Sequence, residues 1–287
     1  MKARNFFKFS LSANVFILTL FITATIDGQD APGSLKLSYS YPADNPVRYM
    51  SVTRVDQTMD VNGQSMLVRV VSTLGCSVRK TGDDGNNLVL NITIDTLAQT
   101  NDSPGGITGG TFKEVIGKAF TLKILPSGKE TDLSGAEQIT YTNGEVTSSL
   151  AESFRDFFPD VPENALYPGY TWKSSDTVNG TASRMAVKMV INSENKYEGT
   201  EHLDGVDCAK ISFLLSGNRE MKTRTQGIDL KVTGPFTGNG TMYFAVGKGY
   251  FVRHEFTTRM SGTIEISSPE AASFPVLMEI SSMTSVQ

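Results

Sequence analysis

The chain has 287 residues, of which 26 are Lys or Arg and 30 are Asp or Glu, so its formal net charge is −4. These charges are spread along the chain without a basic stripe, which argues against nucleic acid as a partner. The length suits one large β domain or two smaller ones.

The first 28 residues have the features of a secretory signal peptide. Their start carries three basic residues, Lys2, Arg4 and Lys8. An apolar run follows at 13–26, and Gly28 is a small residue that suits signal peptidase, so we expect a mature chain that begins at Gln29. The alternative is an N-terminal anchor, but an anchor needs about 20 uninterrupted apolar residues. We therefore predict an exported protein, periplasmic or extracellular, with no membrane span in the mature chain.

Two stretches of the chain share a turn sequence and an alternation of apolar residues. "MDVNG" ends at residue 63, and "DTVNG" ends 117 positions later, at residue 180. The apolar residues that follow occupy every second position, as in a long strand with one buried face. They are Met66, Val68, Val70, Leu74, Cys76 and Val78 in the first copy and Met185, Val187, Met189, Ile191 and Tyr197 in the second. A one-residue slip would invert a strand, so the shared phase favours a duplication. Two unrelated meanders with similar turns are the alternative.

A helix is predicted between the two copies. In "EVTSSLAESFRDFF" one helical face carries Val146, Leu150, Phe154, Phe157 and Phe158, and a proline then ends the pattern. The predicted organisation is a signal peptide at 1–28, a first β unit at 29–143, a helix and crossover at 144–169, and a second β unit at 170–287.

Alternating strands joined by short turns make antiparallel neighbours. The predicted fold class is therefore mainly β, with antiparallel sheets in two tandem duplicated units joined by a helix-containing crossover. The two units either stay separate or form one curved half-barrel.

The sequence carries no pattern typical of catalysis. It has no Gly-x-Ser-x-Gly motif and only two histidines, of which His254, next to Glu255 in the sequence, is expected to be an exposed residue that contacts a neighbouring strand. The acidic turns at Asp83-Asp84 and at 201–207 lack the spacing of a calcium loop and are interpreted as solvated turns. We expect a protein that is not an enzyme and that uses no metal or cofactor.

The sulfur-containing residues give two further expectations. Cys76 lies on the buried phase, whereas Cys208 alternates with Lys210 and Ser212 on the opposite phase, so we expect two free thiols although export would permit a disulfide. Several methionines lie on buried phases. They suit either an ordinary core or a pocket for varied apolar ligands.

Three motifs along the chain carry a family resemblance. They are "GKAFTLKILPSGKETDLSG" at 117–135, "LYPGYTW" at 166–172 and "GTMYFAVGKGYFVRHEF" at 240–256. With the signal peptide, they resemble a family of exported, β-rich proteins of unknown function found in Bacteroidota. The resemblance implies location and architecture and no reaction. The pattern is also distantly similar to periplasmic lipoprotein-carrier folds, in which a curved antiparallel sheet with a helix plug holds an acyl chain.

These observations predict a non-enzymatic exported protein that binds an apolar or amphipathic ligand on the concave side of the sheet, covered by the helix. The predicted contacts are Val68, Val70, Leu74, Phe154, Phe157, Met185, Val187 and Met189. The alternative is a structural or assembly partner of the cell envelope that binds another protein through a sheet edge or face. The expected partner is accordingly an apolar small molecule or an envelope protein.

Overall fold

The computed structural model describes residues 34–61, 63–144, 146–182, 185–225, 228–267 and 271–287. The predicted signal peptide, its cleavage site and Gln29 lie outside the described residues. The described strands are β1 Val47–Val61, β2 Gln64–Asp84, β3 Asn87–Ser103, β4 Gly106–Thr111, β5 Ala119–Ile124, β6 Glu130–Asp132, β7 Thr140–Asn143, β8 Val146–Ser149, β9 Thr171–Ala182, β10 Met185–Leu203, β11 Val206–Thr225, β12 Ile228–Ala245, β13 Phe251–Ile266 and β14 Ala272–Val286. The described helices are α1 Ser134–Glu137 and α2 Ala151–Phe154. Neither helix has the length and apolar character that a membrane crossing requires.

Twelve of the strands form one antiparallel sheet, so the predicted mainly β, antiparallel class is confirmed. The strand order is β6-β5-β3-β2-β1-β14-β13-β12-β11-β10-β9, with β4 paired to β3, while β7 and β8 form a separate hairpin. β1 pairs with β14 from Tyr49 opposite Val286 to Met59 opposite Val276. Strands from the two predicted units therefore share one continuous sheet, whereas the duplication itself stays a prediction.

Burial confirms the predicted phases of the long strands. The buried members are Val68, Val70, Leu74, Cys76 and Val78 on β2 and Val187, Met189, Ile191 and Tyr197 on β10. Their side of the sheet is called the inner face below. Cys208 is buried on the opposite face from Cys76, and both thiols are free.

The second "VNG" is not a turn, which corrects the sequence prediction. Gly63 lies in the β1–β2 turn at φ 77°, and its N–H donates to the Asp60 carboxylate at 2.8 Å. Asn179 and Gly180 instead lie inside β9, where Gly180 pairs with Val187. The ladder with β10 continues beyond them, so strand pairing overrides the local turn preference of Asn-Gly.

The predicted helix at 146–158 is wrong over most of its length. Its first four residues form β8, and only α2 is helical. β8 pairs with β7 in a hairpin whose turn contains Gly144 at φ 62°. Asn143-Gly144 is a strong hairpin signal, and Val146 and Thr147 are β-branched, so strand formation outweighs the helical spacing of the apolar residues.

The buried apolar side chains form two large clusters. The first packs one end of the sheet against the segments 35–41 and 112–166, and we call it the aromatic cluster. Its rings are Tyr39, Tyr41, Tyr49, Phe112, Phe120, Tyr141, Phe154, Phe157, Phe158, Tyr197, Phe244 and Phe251. The second lies along the rest of the inner face, and we call it the methionine cluster. Its buried members are Val55, Met59, Val68, Val70, Val178, Val187, Met189, Ile191, Leu215, Phe236, Phe256, Met260, Ile264, Val276, Met278 and Ile280.

The methionine cluster shows that the sheet curls over its own inner face. All its members belong to strands of the twelve-stranded sheet and are buried, and the loop after α2 reaches only its edge, where Pro159 and Asp160 lie near Leu215. Arg219 on β11 also reaches Met278 on β14, with a distance of 3.7 Å between Nη1 and Sδ. In a flat sheet these strands would be about 14 Å apart, because β12 and β13 lie between them.

Glycines on the inner face leave room for this curvature. They occur on β11, β12 and β13 at Gly217, Gly234, Gly238, Gly240 and Gly262. A Cβ on Gly217 would lie 1.9 Å from the carbonyl oxygen of Val190 and 2.8 Å from the Phe236 ring. The missing side chains let neighbouring strands and rings approach closely, which is the usual role of glycine inside a strand.

Candidate functional site

The methionine cluster brings together most of the predicted contact residues. Val68 and Val70 on β2 and Val187 and Met189 on β10 are buried in this one cluster, and Met185 packs against it partly buried. The apolar stripes of the two sequence copies therefore contribute to a common inner surface.

The remaining three predicted contacts lie elsewhere. Leu74, Phe154 and Phe157 belong to the aromatic cluster. The Phe154 ring lies 5.1 Å from the Phe120 ring, and the Phe157 ring lies 5.6 Å from that of Tyr49. The segment that begins with α2 thus seals the aromatic cluster, and the structure separates the predicted contact set into two regions.

Methionines give the second cluster its character. Four of them are buried and two more are partly buried against it: Met59, Met189, Met260 and Met278, then Met185 and Met221. Unbranched thioether side chains can repack around guests of different shape at small cost. This inner surface is therefore chemically suited to apolar ligands.

Arg219 is a functional candidate that the sequence analysis missed. It lies on the inner face of β11, opposite Met189 in the β10–β11 ladder. Its Nε is 3.4 Å from the Met189 sulfur and its Nη1 is 3.7 Å from the Met278 sulfur, while its guanidinium carbon lies 6.0 Å from the centre of the Phe236 ring. Desolvation in these surroundings lowers the pKa of Arg219 to about 10.

Arg219 has no ion-pair partner among the described residues. Its guanidinium contacts the sulfur atoms of Met189 and Met278 and lies over the Phe236 ring. The lowering of its pKa comes from desolvation. The residue nevertheless keeps part of its accessible surface. Arg219 is therefore surrounded by apolar groups while part of its side chain stays accessible.

Gln57 places a second unsatisfied polar group on the same face. It is a buried residue on β1, and its Oε1 has no hydrogen-bond partner among the described residues. Gln57 lies opposite Met278 in the β1–β14 ladder, and Met278 is the residue that Arg219 reaches from β11. Buried polar atoms normally have hydrogen-bond partners. An unsatisfied amide oxygen and an unpaired cation that both neighbour Met278 therefore mark this part of the inner face as a candidate site for a polar group of a ligand.

His254 lies on the inner face, which corrects the expectation of an exposed residue. It is partly buried, its ring packs 5.7 Å from that of Phe256, and desolvation lowers its pKa to about 4. Together with Asp160 and Asn195 it lines a cavity of about 30 Å³ between the two clusters. That volume holds little more than a water molecule, so this point closes the inner face toward the aromatic cluster.

A group of carboxyls on β6 and in the loop after α2 lies against the aromatic cluster. The Glu130 carboxylate accepts the Phe158 N–H at 3.3 Å, and Asp156 has a positive φ of 63°. Burial, together with repulsion from the neighbouring acids, raises the pKa values of Asp156 and Asp160 well above the usual range, and burial also raises that of Glu130. Among the described residues no group of three or more His, Cys, Asp or Glu side chains is arranged to hold a metal ion.

Comparison with known proteins gives only distant structural similarity. No protein-family model matches the chain, and no curated protein sequence matches it. The β domain of the Bordetella autotransporter Brka is similar with a TM-score of 0.24 and 7% identity, over 85% of this chain and 100% of that one. A DUF1329 family protein from Desulfovibrio piger is similar with a TM-score of 0.12 and 11% identity, over 80% of this chain and 83% of that one. Similarities at these TM-scores carry no argument about function.

Proposed function

We propose that this chain is an exported, non-enzymatic binding protein of the cell envelope that holds an apolar or amphipathic ligand on the inner face of its sheet. The observation that carries the proposal is the methionine cluster, an apolar surface covered by the curl of the same sheet that forms it. The curl can widen by small changes spread over many strands, with the hydrogen-bonded ladders kept intact.

A ligand that enters would replace one set of apolar contacts with another. Methionine side chains that turn away from each other can pack against an alkyl chain or a ring, so the hydrophobic stabilisation of the cluster is largely kept. The aromatic cluster would stay closed, because its rings interlock in edge-to-face pairs such as Tyr39 with Phe158 and Tyr49 with Phe157. Binding is therefore assigned to one part of the interior.

Export rests on the sequence of the first 28 residues. The test is the intact mass of protein recovered from the periplasm or the medium of a cell that makes the full chain. A mass that begins at Gln29, with or without cyclisation of that glutamine, supports export with cleavage. A mass that still includes residues 1–28 contradicts it.

Ligand binding is tested on the purified full chain in two ways. Mass spectrometry of an organic extract looks for a co-purified lipid-like molecule, and titration with an environment-sensitive fluorescent fatty acid measures uptake directly. Met189→Gln places an amide in the methionine cluster and should weaken probe binding about tenfold, since an unpaired buried amide is costly. Met283→Gln, at an exposed position on the opposite face, is the matched control and should leave binding unchanged. Absence of probe binding at micromolar concentrations by the wild type would contradict the proposal.

The outer face supports a second candidate, an assembly partner that binds another envelope protein. Val52 and Met283 are direct cross-strand partners on β1 and β14, and they are 38% and 45% exposed. Leu214 on β11 is 59% exposed on the same face. Val52→Lys with Met283→Lys should abolish capture of such a partner in a cross-linking experiment while fluorescent probe uptake stays intact. Capture of the partner that survives both substitutions would contradict this second candidate.

A further inference from the structure

Among the described residues, Arg219 is a cation on the inner face that has no ion-pair partner. Arg219 lies within the methionine cluster, with Val187 and Met221 toward one end of the sheet and Ile191 and Leu215 toward the other. Its only hydrogen-bond acceptors among the described residues are two thioether sulfurs. Sulfur is a weak acceptor, so most of the N–H groups of the guanidinium are left for another partner.

An oxyanion is the partner that these N–H groups fit. Guanidinium presents two parallel N–H groups that match the oxygens of a carboxylate or phosphate, and such charge-assisted pairs are stronger than neutral hydrogen bonds. The effect is greater where water is scarce, and the position of Arg219 among methionines and Phe236 is such a place. An anion would also offset the burial of an uncompensated positive charge.

We propose that Arg219 binds the anionic headgroup of the ligand, so that the ligand is an amphiphile with a carboxylate or phosphate-monoester head and an apolar tail. This inference rests on the proposed function, since it names the class of ligand held at that same inner face. Arg219 is flanked by apolar residues on both sides along β11, so the tail lies across the methionine cluster while the head stays at the guanidinium.

Gln57 completes the headgroup contact in this arrangement. Its unsatisfied Oε1 faces the interior next to Met278, the residue that Arg219 also contacts. A primary amide can present its NH₂ group in place of its oxygen by a half-turn. With an anion at Arg219, that NH₂ group can serve as a second donor to the anion.

The experiment compares an acid with its neutral ester. The probes are dansyl-labelled undecanoic acid and its methyl ester, which share the tail and the fluorophore and differ only in the charge of the head. The wild-type full chain should bind the acid about tenfold or more tightly than the ester, as expected for a hydrogen-bonded ion pair. Arg219→Met should abolish the preference for the acid over the ester, while Arg219→Lys should keep part of that preference.

Arg224→Met is the matched control. Arg224 is on the same strand, is exposed on the outer face and pairs with Asp229 at 3.5 Å. This variant should keep the full preference for the acid. Melting temperature and circular dichroism of each variant confirm that it is folded.

The outcomes of this experiment distinguish the headgroup proposal from the proposed function. Equal binding of acid and ester by the wild type, or an acid preference that survives Arg219→Met, would overturn the headgroup assignment and leave the proposed function standing. Failure of both probes to bind would overturn both. Displacement of the bound acid by a monoalkyl phosphate and by an unlabelled fatty acid then shows which of the two headgroups is preferred, and either result supports an anionic head.

Discussion

The buried hydroxyls of Tyr39, Tyr41 and Tyr49 in the aromatic cluster have hydrogen-bond partners, whereas two polar groups on the inner face of the methionine cluster lack an oxygen or nitrogen partner among the described residues. In the aromatic cluster the Tyr39 hydroxyl donates to the Pro159 carbonyl at 2.6 Å, and the Tyr49 hydroxyl donates to the Phe251 carbonyl at 2.9 Å. The Tyr41 hydroxyl lies 2.8 Å from that of Tyr49. In the methionine cluster, by contrast, Gln57 Oε1 has no partner among the described residues and Arg219 contacts only sulfur acceptors there.

This difference indicates which part of the interior is rigid. Interlocked rings with hydrogen-bonded hydroxyls favour one packing arrangement, because a shift of the rings would break several hydrogen bonds at once. A cluster of flexible thioethers with unsatisfied polar groups has less to lose from a rearrangement. The aromatic cluster therefore anchors the sheet, and the methionine cluster is the part left adaptable.

The largest expected effect on stability comes from truncating one buried phenylalanine in each cluster. Phe154→Ala in the aromatic cluster should lower the free energy of unfolding by about 3–5 kcal/mol, the usual cost of removing a fully buried phenylalanine. Phe256→Ala in the methionine cluster should cost less, since neighbouring methionines can fill the space. Urea denaturation of both variants measures the difference.

Probe binding gives the second half of that test. Fluorescent fatty acid uptake should change in Phe256→Ala and stay unchanged in those Phe154→Ala molecules that remain folded. Equal losses of stability in the two variants would show that both clusters are equally rigid and would remove the distinction.

A smaller loss is expected from removing one hydroxyl of the aromatic cluster. Tyr49→Phe leaves the Phe251 carbonyl without its donor and deprives the Tyr41 hydroxyl of its partner. An unsatisfied buried acceptor costs about 1–3 kcal/mol, so the melting temperature should fall clearly. Tyr167→Phe, at an exposed position, is the control and should leave it unchanged. A neutral Tyr49→Phe would mean that this network does not fix the cluster.

The local features of the fold could be predicted from the sequence, and the long-range ones could not. Alternation assigned the buried faces of β2 and β10, because period two is a local property of a strand. The same alternation puts Arg219 on the phase of Phe213, Leu215 and Met221, so a charged residue on a buried phase was the available signal for the site. That Met278 faces it from three strands away depends on the curl of the sheet, which no local pattern specifies.

Competing local signals explain the errors. The segment 146–149 has helical spacing together with β-branched residues after an Asn-Gly turn, and pairing with β7 decides in favour of a strand. The repeated "VNG" fails for the opposite reason. Its second copy has a strand partner across its whole length, so β9 continues through it to Ala182.

Stability of the ligand-free protein should rise when the unpaired cation is removed. Arg219→Met replaces a desolvated charge by a side chain that suits its methionine neighbours, and the free energy of unfolding should increase by about 1–2 kcal/mol. Arg224→Met, on the exposed face, should change it by no more than about 0.5 kcal/mol. A clear loss of stability in Arg219→Met would show that the guanidinium is satisfied within the fold, and the methionine cluster would then resemble the aromatic one.

The smallest effect concerns the carboxyls that support the aromatic cluster. Asp156, Asp160 and Glu130 have raised pKa values in the folded chain, chiefly through burial, and the nearby Arg155 and Lys129 only partly offset this. A carboxyl with a raised folded pKa contributes stability that is fully present below its unfolded pKa near 4 and is lost as pH rises through the folded pKa. The wild-type melting temperature should therefore fall as pH rises from about 4 to about 9.

Asp156→Asn tests this pH dependence without disturbing the backbone, because asparagine tolerates the positive φ at this position. The variant should match the wild type near pH 4 and exceed it by about 1 kcal/mol in free energy of unfolding near pH 8. Asp44→Asn, at an exposed position before β1, is the control and should follow the wild type throughout. Because the methionine cluster is proposed to open independently of the aromatic cluster, affinity for the neutral ester probe should stay constant over the same pH range. If ester binding weakened in step with the melting temperature, the two clusters would have to open together, and the division of the interior into a fixed part and an adaptable part would be wrong.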